Sequence, residues 1–124
     1  MGHVYVQATI RGKRAAKVRF LADTGAAYGL ISPEMARRLG IAPGPIRDRV
    51  RPASGGTVRL PMALAAIRID GRETGTIFWI GPCEEPLLGV EAMEALGLAA
   101  DPVRRRLRAI RPRDATEWVR KALT

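Results

Sequence analysis

The same order of predicted elements occurs twice along this sequence. Each half of the chain has two strands joined by a glycine-containing turn, then a short apolar run, and then a helix that ends at a glycine. In the first half, these elements are predicted at residues 3–10, 12–13, 17–22, 29–31 and 33–39, with Gly40 as the helix stop. In the second half, they are predicted at residues 67–69, 70–71, 76–80 and 86–89 and in a helix that ends at Gly97. A repeated unit of this kind predicts an all-β protein with short helices and an internal duplication.

The two helical segments also resemble each other in sequence. The segment LISPEMARRLGIA of the first half shares five letters, in the same positions, with LLGVEAMEALGLA of the second half. With a shift of two residues, Phe20 and Leu21 of the first half also fall on Trp79 and Ile80 of the second. Two amphipathic helices with glycine stops can be alike by chance, but the shared order of all the elements favours a duplication.

Length and composition are those of one ordinary globular domain. The length of 124 residues fits a single domain over 1–124, and the hydrophobic share of 47% is enough for one apolar core. Cys83 is the only cysteine, so no disulfide can form within the chain, and we expect a cytoplasmic protein. The least polar stretch, residues 60–67, is too short to cross a bilayer, so no membrane insertion is expected.

The formal net charge of +9 raises the possibility of an anionic partner such as nucleic acid. The basic residues are spread along the chain, with the densest cluster over 104–113, and few aromatic residues are available to stack on bases. We therefore expect no specific nucleic-acid binding. A basic β-barrel that binds nucleic acid stays open as an alternative function.

A segment rich in proline, glycine and arginine, residues 41–62, separates the two halves. Ser54, Gly55 and Gly56 stand at its middle, and apolar residues such as Val50 flank them. This pattern predicts an exposed hairpin, and an irregular surface loop is the alternative.

A carboxylate stands at the end of the second predicted strand, where Asp23, Thr24 and Gly25 directly follow an apolar run. Taken alone, this triplet is also typical of an Asx turn, in which Asp23 accepts local backbone hydrogen bonds and Gly25 supplies a positive φ angle. The triplet alone does not decide between a turn and a catalytic function.

Three features together resemble the retropepsin-like aspartic proteases from Val4 to about Leu107: the run FLADTGAAYGLIS, the glycine-bearing hairpin, and the run PLLGVEAMEALGL. The resemblance implies a retropepsin-like closed β-barrel, the acid protease fold, with internal pseudo-twofold symmetry and one lobe per chain. The site residues that it implies are the catalytic Asp23, the active-site loop residues Thr24, Gly25 and Ala26, the substrate-binding flap residues Ser54, Gly55 and Gly56, and the second apolar-Gly element Leu87, Leu88 and Gly89.

Aspartic-protease chemistry needs two carboxylates that share one proton, because one activates a water while the other, protonated, polarises the peptide carbonyl. This chain has one Asp-Thr-Gly triplet, and Gly81 and Pro82 stand at the equivalent place of the second half. The second carboxylate must then come from another copy of the chain, which predicts a homodimer with one symmetric site. The predicted function is an aspartic endopeptidase that cleaves peptide or protein substrates with no cofactor and no metal. The alternative is an inactive domain of the same fold that serves dimerisation or protein binding.

The chain departs from the retroviral pattern at two positions. Retroviral members usually carry an acidic residue two places after the glycine of the triplet and an arginine after the apolar-Gly element, and these two residues brace each other. Here the corresponding residues are Ala27 and Val90. Retrovirus-like substrate contacts and dimer stability therefore do not follow from the resemblance.

The remaining candidates are mainly structural. His3 and Cys83 are the only residues of their types, so a Cys-His nucleophilic pair or a multi-ligand zinc site lacks members. Phe78 and Trp79 are neighbours on one predicted strand and face opposite sides, so we expect one in the core and the other at an interface or a binding wall. The domain core is predicted over about 4–107, followed by a tail over 108–124 with a helix after Asp114.

Overall fold

The computed structural model describes residues 3–110, so the helix predicted after Asp114 lies outside the described residues. Within this range the elements follow in the order β1 (Val4–Arg11), β2 (Ala15–Ala22), β3 (Gly29–Ile31), α1 (Pro33–Leu39), β4 (Arg47–Val50), β5 (Val58–Ile69), β6 (Arg72–Ile80), β7 (Leu87–Leu88), α2 (Val90–Ala95), β8 (Leu98–Asp101) and β9 (Arg106–Ala109). Neither helix is long and apolar enough to span a membrane. β9 continues slightly past the predicted core boundary at residue 107.

Six strands form a closed ring. They are hydrogen-bonded in the order β1-β2-β7-β3-β6-β5, and an antiparallel pairing between β1 and β5 joins the two ends. β4 pairs with β5 outside the ring, while β8 and β9 form a separate antiparallel pair. The closed β-barrel with short helices that the sequence predicted is therefore confirmed.

Two strand pairings mark a pseudo-twofold axis. Ile10 lies opposite Ile67 where β1 pairs with β5, and Leu30 lies opposite Leu87 where β3 pairs with β7. The two residues of each pair are separated by the same number of positions in the sequence. Equivalent residues of two repeated units lie opposite each other where a twofold axis passes between them, so both pairs lie on the axis. The internal duplication is therefore confirmed.

The alignment of the strands needs a correction of one residue. β2 runs parallel to β7 with Leu21 opposite Leu87, and β6 runs parallel to β3 with Trp79 opposite Leu30. Since Leu87 and Leu30 are equivalent, Leu21 corresponds to Trp79 and not to Ile80, as the sequence comparison had it. The comparison had superposed Gly12 on Gly71, but Gly12 begins the turn between β1 and β2 whereas Gly71 ends the turn between β5 and β6, so the two glycines are not equivalent.

The core contains mainly aliphatic side chains around two phenylalanines. The largest fully buried side chains are Phe20, Phe78, Ile10, Ile31, Ile67, Leu88 and Met93. The rings of Phe20 and Phe78, which the corrected alignment makes equivalent, have centroids 6.0 Å apart. Burying a side chain of this size contributes roughly 1.5–3 kcal/mol. Of the two neighbours on β6, Phe78 faces the core and Trp79 is half-buried on the opposite side.

The boundaries of α1 agree with its sequence signals. The hydroxyl of Ser32 accepts a hydrogen bond from the backbone N–H of Met35 at 3.1 Å, and Pro33 occupies the first turn. Gly40 ends the helix with a φ of 66°, and Gly97, its counterpart after α2, has a φ of 71°. Both glycines thus adopt the left-handed conformation that commonly ends a helix.

The segment between the two halves contains the hairpin that the sequence predicted. β4 pairs with the first part of β5, with Val50 opposite Val58, and the chain turns between them. Gly55 and Gly56 have φ angles of 94° and 75°, and a Cβ on either one would have no heavy atom within 4 Å. Residues 47–61, called the projecting hairpin below, therefore form an antiparallel hairpin with an exposed tip.

Candidate active site

Asp23 lies where β2 ends and the chain turns. Its backbone N–H donates to the carbonyl of Leu88 at 2.9 Å, and its Oδ1 accepts a hydrogen bond from the backbone N–H of Gly25 at 3.0 Å. The second bond is the local contact that an Asx turn predicts. Gly25 has no positive φ angle, so that part of the Asx-turn interpretation is wrong. No other donor within residues 3–110 bonds to the carboxylate, which leaves Oδ2 available for a ligand.

The second apolar-Gly element lies directly against the loop that follows Asp23. The N–H of Val90 donates to the carbonyl of Ala26 at 2.8 Å. A Cβ on Gly89 would lie 2.6 Å from the carbonyl oxygen of Tyr28, closer than real Cβ atoms come to any neighbour. The two segments therefore touch through their backbones, and only glycine fits at position 89. The structure thus brings Leu88 and Gly89 together with the loop that the sequence predicted to form the active site.

The pseudo-twofold axis relates Asp23 to Gly81. The N–H of Gly81 donates to the carbonyl of Ile31 at 3.0 Å, and the N–H of Asp23 donates to the carbonyl of Leu88 at 2.9 Å. These are equivalent bonds, because Ile31 and Leu88 occupy equivalent positions in the repeat. The second half of the chain therefore has a glycine, with no side chain, at the place where the first half has a carboxylate.

Asp23 lies in a cleft of about 790 Å³ between the barrel and the projecting hairpin. The hairpin side is lined by Arg49, Val50, Arg51, Pro52, Ala53, Val58 and Leu60, and the barrel side by Asp23, Gly25, Ala26, Ala27, Leu30, Trp79, Pro82 and Leu87. The lining is mostly apolar, and Asp23 is its only acidic residue. The predicted flap residues Ser54, Gly55 and Gly56 lie beyond the cleft, at the hairpin tip.

A second depression, of about 620 Å³, adjoins Asp23 on another side. It is lined by His3, Val4, Leu21, Ala22, Asp23, Thr24, Ala100 and Pro102, again with one carboxylate on its wall. Thr24 is exposed to solvent there. Asp23 thus lines both depressions.

His3 and Cys83 do not line the same depression. His3 is exposed and stacks loosely on Tyr5, with the ring centroids 6.3 Å apart. Cys83 is half-buried, and burial raises the pKa of its thiol. Within residues 3–110, no group of three or more His, Cys, Asp or Glu side chains could hold a metal ion.

Sequence reasoning missed Asp48. Its Oδ2 accepts a hydrogen bond from Nε1 of Trp79 at 2.9 Å, which joins β4 of the projecting hairpin to the wall of the cleft. The ring of Tyr28 packs edge-on against the indole of Trp79, with centroids 5.3 Å apart at 75°. A single acid in an arginine-rich segment has no periodic pattern, so only the register of β4 against β5 reveals its position.

The comparisons with known proteins agree with this geometry. The sequence profile of the family described as aspartyl protease matches residues 6–92, which is more than half of the chain. The chain therefore belongs to the aspartyl protease family, and its fold is retropepsin-like.

Two solved structures support the fold. The EIAV protease, complexed with an inhibitor, superposes with a TM-score of 0.62 at 19% identity, covering 77% of this chain and 88% of the viral one. A retropepsin-like aspartic protease from Rickettsia conorii has a TM-score of 0.59 at 24% identity, covering 81% of this chain and 77% of its own. No curated protein matches the sequence.

Proposed function

We propose that this protein is an aspartic endopeptidase whose active site forms between two copies of the chain, each of which contributes Asp23. The observation that carries this proposal is the pseudo-symmetric position of Gly81. The chain has one Asp-Thr-Gly triplet, and the equivalent position in its second half is a glycine with no side chain that could serve as the second carboxylate. A second copy related by a twofold axis supplies the other.

The carboxylate pair would then act on a water molecule between its two members. Two carboxyl groups a few ångströms apart cannot both ionise readily, so the pair holds one proton and its titration belongs to both groups. The ionised Asp23 takes a proton from the water while the water oxygen attacks the peptide carbonyl carbon. The protonated Asp23 of the other copy donates a hydrogen bond to the carbonyl oxygen, where negative charge develops.

The cleft supports a peptide as the substrate. It runs between the projecting hairpin and the barrel, and side chains such as Leu30, Leu60 and Leu87 line its walls. An extended peptide in this cleft would bury apolar side chains on either side of the bond that is cleaved. The projecting hairpin, whose tip at Gly55 and Gly56 is exposed, would then act as a flap over such a substrate.

The test is digestion of a peptide library by the wild type and by Asp23→Asn across a range of pH. The variant keeps the side-chain shape and an oxygen for the Gly25 N–H, so we expect the fold to survive while cleavage is abolished. Wild-type activity is expected at acid to mildly acid pH and should be blocked by statine-type transition-state mimics, because one carboxyl group must be protonated. Residual activity of the variant within tenfold of wild type would show that Asp23 is not catalytic.

A further inference from the structure

The projecting hairpin leaves the barrel at Trp79. β5 pairs with β6 from Met62 onward, where Met62 lies opposite Trp79, while the preceding residues of β5 pair only with β4. Pro61 stands at this junction and has no backbone N–H to donate. Residues 60–62 are therefore the place where the hairpin can bend relative to the barrel.

One side-chain hydrogen bond spans this junction. Nε1 of Trp79, on the barrel, donates to Oδ2 of Asp48, on the outer strand of the hairpin, at 2.9 Å. The other oxygen of Asp48 accepts the backbone N–H of Arg49 at 2.9 Å, which orients the carboxylate. Among the described residues, this is the only side-chain hydrogen bond between the projecting hairpin and the rest of the chain. A bond to an ionised acceptor is stronger than one between neutral groups.

Trp79 connects the hairpin to the loop that contains Asp23. It lines the cleft that Asp23 also lines, and its indole packs against the ring of Tyr28 in a T-shaped arrangement. The backbone of Tyr28 lies directly against Gly89. A displacement of Trp79 would therefore reach the loop through Tyr28.

We propose that Asp48 is a positioning residue, whose hydrogen bond to Trp79 sets the height of the projecting hairpin above Asp23. Opening the cleft to admit a peptide moves β4 away from β6 and breaks this bond, and closure remakes it. The effect on catalysis rests on the proposed peptidase function, whereas the effect on the hairpin does not.

The test uses the full-length chain with Asp48→Ala, Asp48→Asn, Trp79→Phe and the double variant Asp48→Ala/Trp79→Phe. Asn keeps an oxygen that can accept from the indole, so it should restore most of what Ala loses. We expect Asp48→Ala and Trp79→Phe each to lower kcat/KM about tenfold, the usual effect of losing a hydrogen bond to a charged group. The double variant should be little worse than either single one, because both remove the same bond. Glu94→Ala, which removes an exposed carboxylate from α2, is the control.

Hydrogen exchange of the backbone amides separates this proposal from the peptidase function. In Asp48→Ala, amides of the projecting hairpin should exchange about tenfold faster than in wild type, while amides where β1 pairs with β2 should not change. This result is expected even if no peptide is ever cleaved. Two results would overturn the positioning function of Asp48 and leave Asp23 as the catalytic candidate. One is that the hairpin amides of Asp48→Ala exchange at the wild-type rate. The other is that the losses of kcat/KM in the two single variants add up in the double variant.

Discussion

Replacement of Gly89 by alanine tests the contact on which the candidate active site depends. A Cβ at this position would lie 2.6 Å from the carbonyl oxygen of Tyr28 and 2.7 Å from that of Ala27. Ordinary contact begins at 3.4 Å, so these oxygens would have to move by about 0.8 Å. Both belong to the backbone, and the carbonyl of Ala27 also accepts the N–H of Glu91 at 3.0 Å, so little relaxation is possible.

The expected cost lies near the upper end of the range for overpacking a well-packed interior, about 3 kcal/mol. For a domain of this size, the free energy of unfolding decreases by about 1.5 kcal/mol per molar urea, so the urea concentration at the unfolding midpoint should fall by roughly 2 M. Equilibrium unfolding in urea, followed by tryptophan fluorescence at fixed protein concentration, measures this shift. Peptide cleavage should be lost as well, because the displaced loop also contains Asp23.

Gly75→Ala is the matched control for this substitution. Gly75 lies on β6 with an ordinary φ angle, and a Cβ there would meet only the side chain of Leu64 at 3.9 Å. The free energy of unfolding of Gly75→Ala should stay within about 0.5 kcal/mol of the wild-type value. If Gly89→Ala unfolded at the same urea concentration as Gly75→Ala, the close approach of the two backbones would be refuted.

Two further predictions concern assembly and the free thiol. When wild type is mixed with Asp23→Asn under conditions of subunit exchange, peptidase activity should fall roughly as the square of the wild-type fraction. The reason is that a mixed dimer has only one carboxylate of the catalytic pair. A linear fall of activity, or full activity from a monomer verified by sedimentation, would contradict the shared site. Iodoacetamide should alkylate Cys83 more slowly in the folded protein than in the urea-unfolded chain at the same pH, because burial raises the pKa of the thiol and so lowers its thiolate fraction. Equal rates, measured by mass spectrometry, would show that this thiol is as accessible and as acidic as in an unfolded chain.

The sequence determined the parts of this protein that depend on neighbouring residues. Alternation predicted the strands, and Gly40 predicted the end of α1 because a left-handed glycine acts within one turn of helix. The position of Asp23 after an apolar strand was also a local signal. The family resemblance implied the closed barrel around these elements, and the observed pairing of β1 with β5 agrees with it.

Which distant residues contact each other depends on how the strands pair in the folded chain. The register of β2 against β7 and of β6 against β3 makes Phe20 equivalent to Phe78, one residue away from the sequence alignment, and makes Asp23 equivalent to Gly81. That error arose because Gly12 and Gly71 occupy different places in their turns, which a comparison anchored on turn glycines cannot detect.

The contact of Asp48 with Trp79 also depends on tertiary structure. The two residues are far apart in the chain, and they meet because β4 pairs with β5 while β5 pairs with β6. Two successive strand registers must be known before a side chain on β4 can be placed against one on β6, and a one-residue slip in either would turn the side chain to the opposite face. Local periodicity contains neither register, so the packing of the folded chain sets the position of the hairpin relative to Asp23.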